Sequence, residues 1–393
     1  RMALALIVAS TIACGGSDTD TAATTGAATT AGETTVGPTE ATTETTETTE
    51  TTDATTEATT DVATTEDGSD SDTETTGTPG QDEVVTVFDK EHVYFGDENK
   101  RTVDVAVSFP EEGLTYENIV LGLALSCPNS LCDHWDRYGT LGIVRNAGGD
   151  DEEFLEVARF ITPYRVGGVW NYDVTDLRPL LTGDVTFRVH IDTWVGPGHN
   201  QGEGWLVDVL VQFEGGVPAR EVLDVAPVWY QNFGAGNPDN PPSSQVEPQE
   251  IATPAEATGF ALRSLITGHG FGNTNNCAEF CPLEHGYSVN NQGHQKTVWR
   301  DDCMETGVPG QQGTWTYSRA GWCPGADVRV WEIDVSNDIT PGEPATIAYA
   351  LSDYENTCVP DAEPCVGCAG ASCNDGHGQP YYYMSALLVS YRE

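Results

Sequence analysis

The chain has 393 residues, with 61 Asp and Glu against 17 Lys and Arg and a formal net charge of −44. So large a negative excess repels nucleic acid and anionic lipid, and excludes both as partners bound through charge. It leaves neutral substrates open. Residues 1–83 hold 17 of the acids and only Arg1 among the bases, so residues 84–393 still carry 44 acids against 16 bases.

The chain opens "RMALALIVASTIACGG". A basic residue, an apolar run from Ala3 to Ala9 and small residues before Cys14 predict an export signal over residues 1–16. "TIAC" resembles a lipobox, which makes Cys14 the expected lipidation site, although Thr11 stands where Leu is usual. The apolar run is too short to span a bilayer, so any membrane attachment is through an acyl chain. The start at Arg1 instead of Met implies a truncated or misassigned beginning. Residues 17–83 are a Thr- and Glu-rich tract with no aromatic residue. Such a segment cannot bury enough apolar surface to offset the entropy of ordering, so a disordered tether is expected, reaching about 45 Å r.m.s..

The remaining 310 residues suit two domains, with "EGGVPAR" at 214–220 as the boundary: one domain over 84–216 and another over 217–393. Strand patterns dominate. "RTVDVAVSF" alternates, with Val103, Val105, Val107 and Phe109 on one face. "NIVLGLALS", "FLEVARFI", "LVDVLVQF", "GFALRSLI", "DVRVWEIDVS", "TIAYALS" and "MSALLVSY" read as further strands between Gly and Pro clusters. The one helix-like piece is "VTDLRPLL", with Thr175 as its expected cap. In "VTFRVHIDTWV" the core face is Val185, Phe187, Val189, Ile191, Thr193 and Val195. Arg188, His190, Asp192 and Trp194 face the other way, as a ligand platform or as packing for a partner domain. Short strands with long Gly-rich connections predict an all-β fold of sandwiches or jelly rolls.

There are 11 cysteines. With Cys14 set aside, ten remain: Cys127, Cys132, Cys277, Cys281, Cys303, Cys323, Cys358, Cys365, Cys368 and Cys373. Five disulfides fit an exported chain. A zinc site from the last four is the rival. Three segments place a charge beside an aromatic residue and a cysteine: "SCPNSLCDHWDRYG", "NNCAEFCPLEHG" and "GTWTYSRAGWCPG". A five-residue disulfide ring adds only about 2 kcal/mol through loop entropy, so tiny rings serve better to aim a local side chain, here Glu279, than to staple a fold.

These segments, with "TVFDKEHVYFGD", "RFITPYRVGG" and "YDVTDLRPLLTG", resemble the peptide-N-glycosidase F family in order and approximate spacing over nearly all of residues 85–393. The resemblance implies two antiparallel eight-stranded jelly rolls packed side by side. It also implies an amidase that cuts the bond between an Asn side chain and the first N-acetylglucosamine of an N-glycan. The family's "WDRY" places its principal catalytic aspartate at Asp136, flanked by Trp135 and Arg137. "CAEFC" places a second carboxylate at Glu279, and "RAGWCPG" a substrate-binding arginine at Arg319, with Trp322 beside it. Asp192 stands in "IDTW" where the family has Glu, followed by Trp194. His269 in "TGHGF" replaces a substrate-facing Trp, Phe280 replaces another Trp, and Tyr164 of "RFITPYRVGG" completes the substrate-binding set. The implied disulfides are Cys127–Cys132, Cys277–Cys281 and Cys303–Cys323. Cys358, Cys365, Cys368 and Cys373 then look like an insertion with two more.

The family reaction needs a water activated, an oxyanion stabilised and an amine protonated. No Gly-x-Ser-x-Gly elbow and no His-Glu-x-x-His occurs, and the cysteines have disulfide partners, so carboxylates remain. Asp136 is expected to act at the amide, kept ionised by Arg137, and Glu279 to hold a water. Arg319 and Asp192 are expected on sugar or peptide carbonyl, and Trp135, Trp194 and Trp322 against the core sugars. No cofactor or metal is expected. The eight His residues are too scattered for the copper sites of hydroxylases with a similar architecture. A monomer acting on N-linked glycoproteins is the expected form. The alternative is a cell-surface glycan-binding protein of the same fold with weak or no activity.

Overall fold

The computed structural model describes residues 77–235, 240–270, 278–353 and 380–392. The export segment with Cys14, most of the acidic tether, Cys277 and the four cysteines from Cys358 to Cys373 lie outside the described residues.

The described residues form one compact unit whose regular elements are almost entirely β. Four sheets make two sandwiches. In the first, Glu83–Phe95, Trp205–Gly215, Leu114–Ser126 and Gly168–Asp173 lie side by side, all antiparallel. The two-residue pieces Thr78–Pro79 and Asn99–Lys100 pair with Leu114–Thr115 and Tyr94–Phe95. Backbone pairing thus starts at Thr78, ahead of the expected boundary at 84. The facing sheet runs Thr102–Ser108, Asp184–Ile191, Tyr138–Arg145, Glu153–Ile161. The second sandwich pairs Glu221–Gly234, Tyr381–Arg392, Gly259–His269, Trp331–Asp334 with Gln249–Ile251, Ala345–Leu351, Glu284–Val289, Gln292–Thr297.

Period-2 patterning builds this core. Ile119, Leu121, Leu123 and Leu125 of one strand, and Phe187, Val189 and Ile191 of the facing sheet, are buried in one cluster. Phe260, Leu262, Val289, Ile347 and Leu388 do the same in the second sandwich. The predicted strands all fall on observed ones, but "DVRVWEIDVS" keeps ladder pairing only over Trp331–Asp334 and "VTFRVHIDTWV" only as far as Ile191. The helix-like piece is a 3₁₀ turn, Thr175–Leu180, interrupted by Pro179. Thr175 does not cap it. Its hydroxyl accepts from the Ile119 amide at 2.9 Å and donates to Asp173 at 2.7 Å.

The sandwiches share buried surface. Tyr138 and Ile161 from the first pack with Leu265, Trp322 and Val328 from the second. A fully buried ion pair, Glu156 with Arg159 at 2.6 Å, lies in the same seam. Arg159 also donates to Thr267 Oγ1 at 3.1 Å and the Tyr383 carbonyl at 3.0 Å, and the Ser385 hydroxyl donates to Glu156 at 2.5 Å. Among the described residues no helix is long and apolar enough to cross a membrane.

Candidate active site

The loop that carries Asp136 hangs on a residue the sequence reading passed over. Asp133 is fully buried, and three residues donate to its carboxylate: the Trp135 amide at 3.0 Å, Arg137 through Nε at 2.8 Å and Nη2 at 3.5 Å, and the Thr193 hydroxyl at 2.7 Å. Arg137 therefore makes its hydrogen-bonded ion pair with Asp133, and favours the ionised form of Asp136 through its charge alone, behind Arg319 and the Tyr164 hydroxyl. The Cys127–Cys132 disulfide closes the loop at its start, and the Arg137 amide donates to Thr162 at 2.8 Å at its end. Asp133 sat in plain view in "CDHWDRY"; its burial is what no pattern disclosed.

Glu279 comes from the second sandwich. It sits on the one-turn piece Ala278–Phe280, docked at the end of Gly259–His269. Its amide donates to the Gly270 carbonyl at 3.1 Å, and its carbonyl accepts from Ala320 at 2.8 Å. The turn lies so close that a side chain at Gly268 would meet the Ala278 carbonyl at 2.5 Å. Cys281 is disulfide-bonded, and its predicted partner Cys277 lies outside the described residues. Cys303–Cys323 forms as expected.

Arg319 joins the two carboxylates. Its side chain is 1% exposed, with Nε 3.1 Å from Glu279 Oε1 and Nη2 4.0 Å from Asp136 Oδ2. Carbonyls of Tyr317 and Thr314 and the Thr314 hydroxyl take further donors at 2.8 to 3.1 Å. Gly321, at φ +81°, turns the chain just beyond it. The guanidinium lies 4.8 Å from the Trp322 ring. Trp322 is 3% exposed and donates to the Gly268 carbonyl at 2.6 Å, so it has no open face for a sugar. Its observed place is beneath Arg319, a correction to the expected sugar contact. His269 is likewise buried, stacked between Trp322 and Tyr381 at 5.2 and 5.5 Å. It is a wedge in the floor and not an open replacement for a substrate-facing Trp. Burial pushes its pKa down to about 3, so the ring stays neutral.

Enclosure shapes both carboxylates. Burial, with the Asp136 charge adding to it, pushes Glu279 up to about 7, against the pull of Arg319. Burial also raises Asp136, opposed first by Arg319 and then by the Tyr164 hydroxyl. Tyr164 is buried, held through its amide by Gln311 and through its hydroxyl near Thr314 at 3.3 Å.

The remaining predicted residues form a rim. Trp135 is 51% exposed and Trp194 52%. Asp192 bonds not to the Asp136 group but to Arg101, at 3.0 Å, and its amide donates to the Tyr138 carbonyl. Arg101 escaped the sequence reading because it lies 91 positions from Asp192. Tyr381, another missed residue, feels the charges of both Asp192 and Glu279 and so stands between rim and floor. Among the described residues no group of three or more His, Cys, Asp or Glu could hold a metal ion.

Two antiparallel sandwiches that bring buried carboxylates to one arginine define a hydrolase-like site. The comparisons specify it further. Residues 142–205 match the family description "Peptide-N-glycosidase F, N terminal", and residues 240–389 match "Peptide-N-glycosidase F, C terminal". The chain is 30% identical over 321 residues to peptide-N(4)-(N-acetyl-beta-D-glucosaminyl)asparagine amidase F of Elizabethkingia miricola, covering 78% of this chain and 83% of that one. It superposes with TM-score 0.66 and 25% identity on the solved structure of PNGase F, described as a glycosylasparaginase from Flavobacterium meningosepticum, over 79% of this chain and 96% of that one. It shares its fold with the structure of PNGF-II at TM-score 0.60 and 17% identity, over 79% of this chain and 66% of the other. The chain belongs to the peptide-N-glycosidase F family.

Proposed function

We propose that this protein is an N-glycan amidase: it hydrolyses the amide between an Asn side chain and the first N-acetylglucosamine, frees the intact glycan and leaves Asp. The observation that carries the reading is the buried Arg319 guanidinium, 3.1 Å from Glu279 and 4.0 Å from Asp136. Family membership agrees with it. Glu279, with a pKa near 7, holds a water and takes its proton as the oxygen attacks the amide carbon. The fixed positive charge of Arg319 steadies the oxyanion. Asp136, whose carboxylate faces the Arg319 guanidinium, orients the amide, and the proton taken up by Glu279 passes to the nitrogen as the C–N bond breaks. The glycosylamine leaves, and the carbon keeps the water oxygen as part of a new carboxylate. Trp135, Trp194 and Asp192 hold sugar at the rim.

The test is incubation of the protein with a defined N-glycopeptide followed by mass spectrometry. Release of the whole glycan with Asn converted to Asp supports the reading; a single sugar left on Asn refutes it. Activity should survive EDTA, and a loss restored by metal would overturn the carboxylate mechanism. The exposed Trp135 and Trp194 favour a second reading, glycan capture without chemistry, and binding with no release would select it.

The export-like start, the lipobox-like stretch ending at Cys14 and the acidic tract that follows support an exported cell-surface or outer-membrane lipoprotein, with a periplasmic or secreted form as the alternative. The disulfides Cys127–Cys132 and Cys303–Cys323 agree with an oxidising compartment. Metabolic labelling with radioactive palmitate, lost in Cys14→Ala, tests the anchor.

A further inference from the structure

Arg101 lies just beyond the short strand Asn99–Lys100, at the rim of the site. Its carbonyl accepts from the Ile191 amide at 2.9 Å, which ties it to the end of the strand that leads into Asp192. Nη1 donates to Asp192 Oδ1 at 3.0 Å, and Nε donates to Asn99 Oδ1 at 2.9 Å. The guanidinium carbon stands 4.3 Å from the Trp194 ring centroid and 4.9 Å from that of Phe95, whose own centroid is 5.2 Å from Trp194. The Arg101 side chain is only 19% exposed, while more than half of Trp194 is open. One residue thus fixes an oxygen of the carboxylate and one side of the indole.

We propose that Arg101 is a positioning residue of the substrate rim: it locks Asp192 and Trp194 into one rigid grip for a neutral N-acetylhexosamine. The inference rests on the amidase reading for the identity of that sugar. Among the described residues Asp192 Oδ2 has no hydrogen-bond partner, so it is free to accept from a sugar hydroxyl or acetamido N–H. The open part of the indole takes the C–H face of the ring. A planar guanidinium can bond in its plane and stack through its face at once; an ammonium cannot. Ordering both side chains before the sugar arrives removes an entropy cost from binding. Arg101 makes no contact with Asp136, Glu279 or Arg319 among the described residues, so its effect falls on binding and leaves the chemical step alone.

The test uses the full chain and two readouts: steady-state turnover of a defined N-glycopeptide, and binding of N,N′-diacetylchitobiose followed by tryptophan fluorescence. Arg101→Ala should raise KM and weaken chitobiose binding about tenfold while kcat stays within about threefold. Arg101→Lys should lie between, since it keeps the charge and loses the flat stack. Adding Arg101→Ala to Asp192→Ala should cost little more, because the two act as a unit. An unchanged KM and binding in Arg101→Ala, or a fall in kcat at constant KM, overturns the proposal. If circular dichroism shows Arg101→Ala misfolded, Arg101→Lys and Arg101→Gln decide: wild-type binding in both overturns it, graded weakening supports it. A wild type that binds chitobiose but releases no glycan refutes the amidase reading and leaves Arg101 to the binding arm. A wild type that does neither overturns both.

Discussion

The floor and the rim of this site use the same chemical groups in opposite surroundings. In the floor, Asp136 and Glu279 are 17% and 16% exposed around an arginine at 1%. In the rim, Asp192 is 35% exposed beside an arginine at 19%. Both are carboxylate–arginine arrangements, with Glu279 3.1 Å and Asp192 3.0 Å from their arginines, and in the floor enclosure moves the Glu279 pKa to about 7. The difference is solvent. Removing water raises the cost of a charge and turns a carboxyl into a usable proton carrier near neutrality, whereas a wet carboxylate serves as a hydrogen-bond acceptor. Proton transfer therefore belongs to the floor and recognition to the rim.

The sharpest way to break that division is Asp136→Asn. It keeps size, removes the titrating group, and should lower kcat about 10³- to 10⁴-fold with the circular dichroism spectrum unchanged. Retention of most activity would remove Asp136 from the chemistry. Glu279→Gln should cost about 10²- to 10³-fold and also erase a pH limb. Glu279 is protonated below about 7 and ionised above it, so wild-type kcat/KM should rise through that region as the base forms, and the variant should be flat there. The sign can be cross-checked in Asp136→Asn: loss of the neighbouring negative charge should move the Glu279 titration downward, as read by ¹³C NMR of a labelled side chain. Asp133→Ala should follow, at about 10²-fold, because freeing its three ligands lets Asp136 drift by an ångström or so. Smallest is Asp192→Ala, which should raise KM about tenfold with little change in kcat, with Asp192→Glu tolerated. Equal, near-total losses in Asp192→Ala and Asp136→Asn would erase the distinction between floor and rim.

Strand content was readable because alternation is a local signal: Ile119 through Leu125 and Val185 through Ile191 declare their buried face within a few residues. The site was readable where residues cluster in sequence, as Trp135, Asp136 and Arg137 do, or Glu279 between its cysteines. What stayed hidden depends on contacts between distant segments. Arg137 stands next to Asp136 in the chain but turns to Asp133, while Arg319, far along the sequence, comes to Asp136. A sequence also cannot say which aromatic residues are covered. Trp322 and Trp194 look alike as letters; one is sealed under a guanidinium and the other is open.

Asp136 belongs to the first sandwich, and Glu279 and Arg319 to the second, so the site exists only while the two halves keep register. The Glu156–Arg159 pair crosses that seam with bonds to Thr267, Tyr383 and Ser385, and it has no water to fall back on. Sliding one half by even a single residue would strand two charges in a dry interior, a penalty far larger than loss of an apolar contact. The seam therefore behaves as a keyed joint with one seating: halves produced as separate chains should regain activity together or not at all, and melting should show a single calorimetric transition.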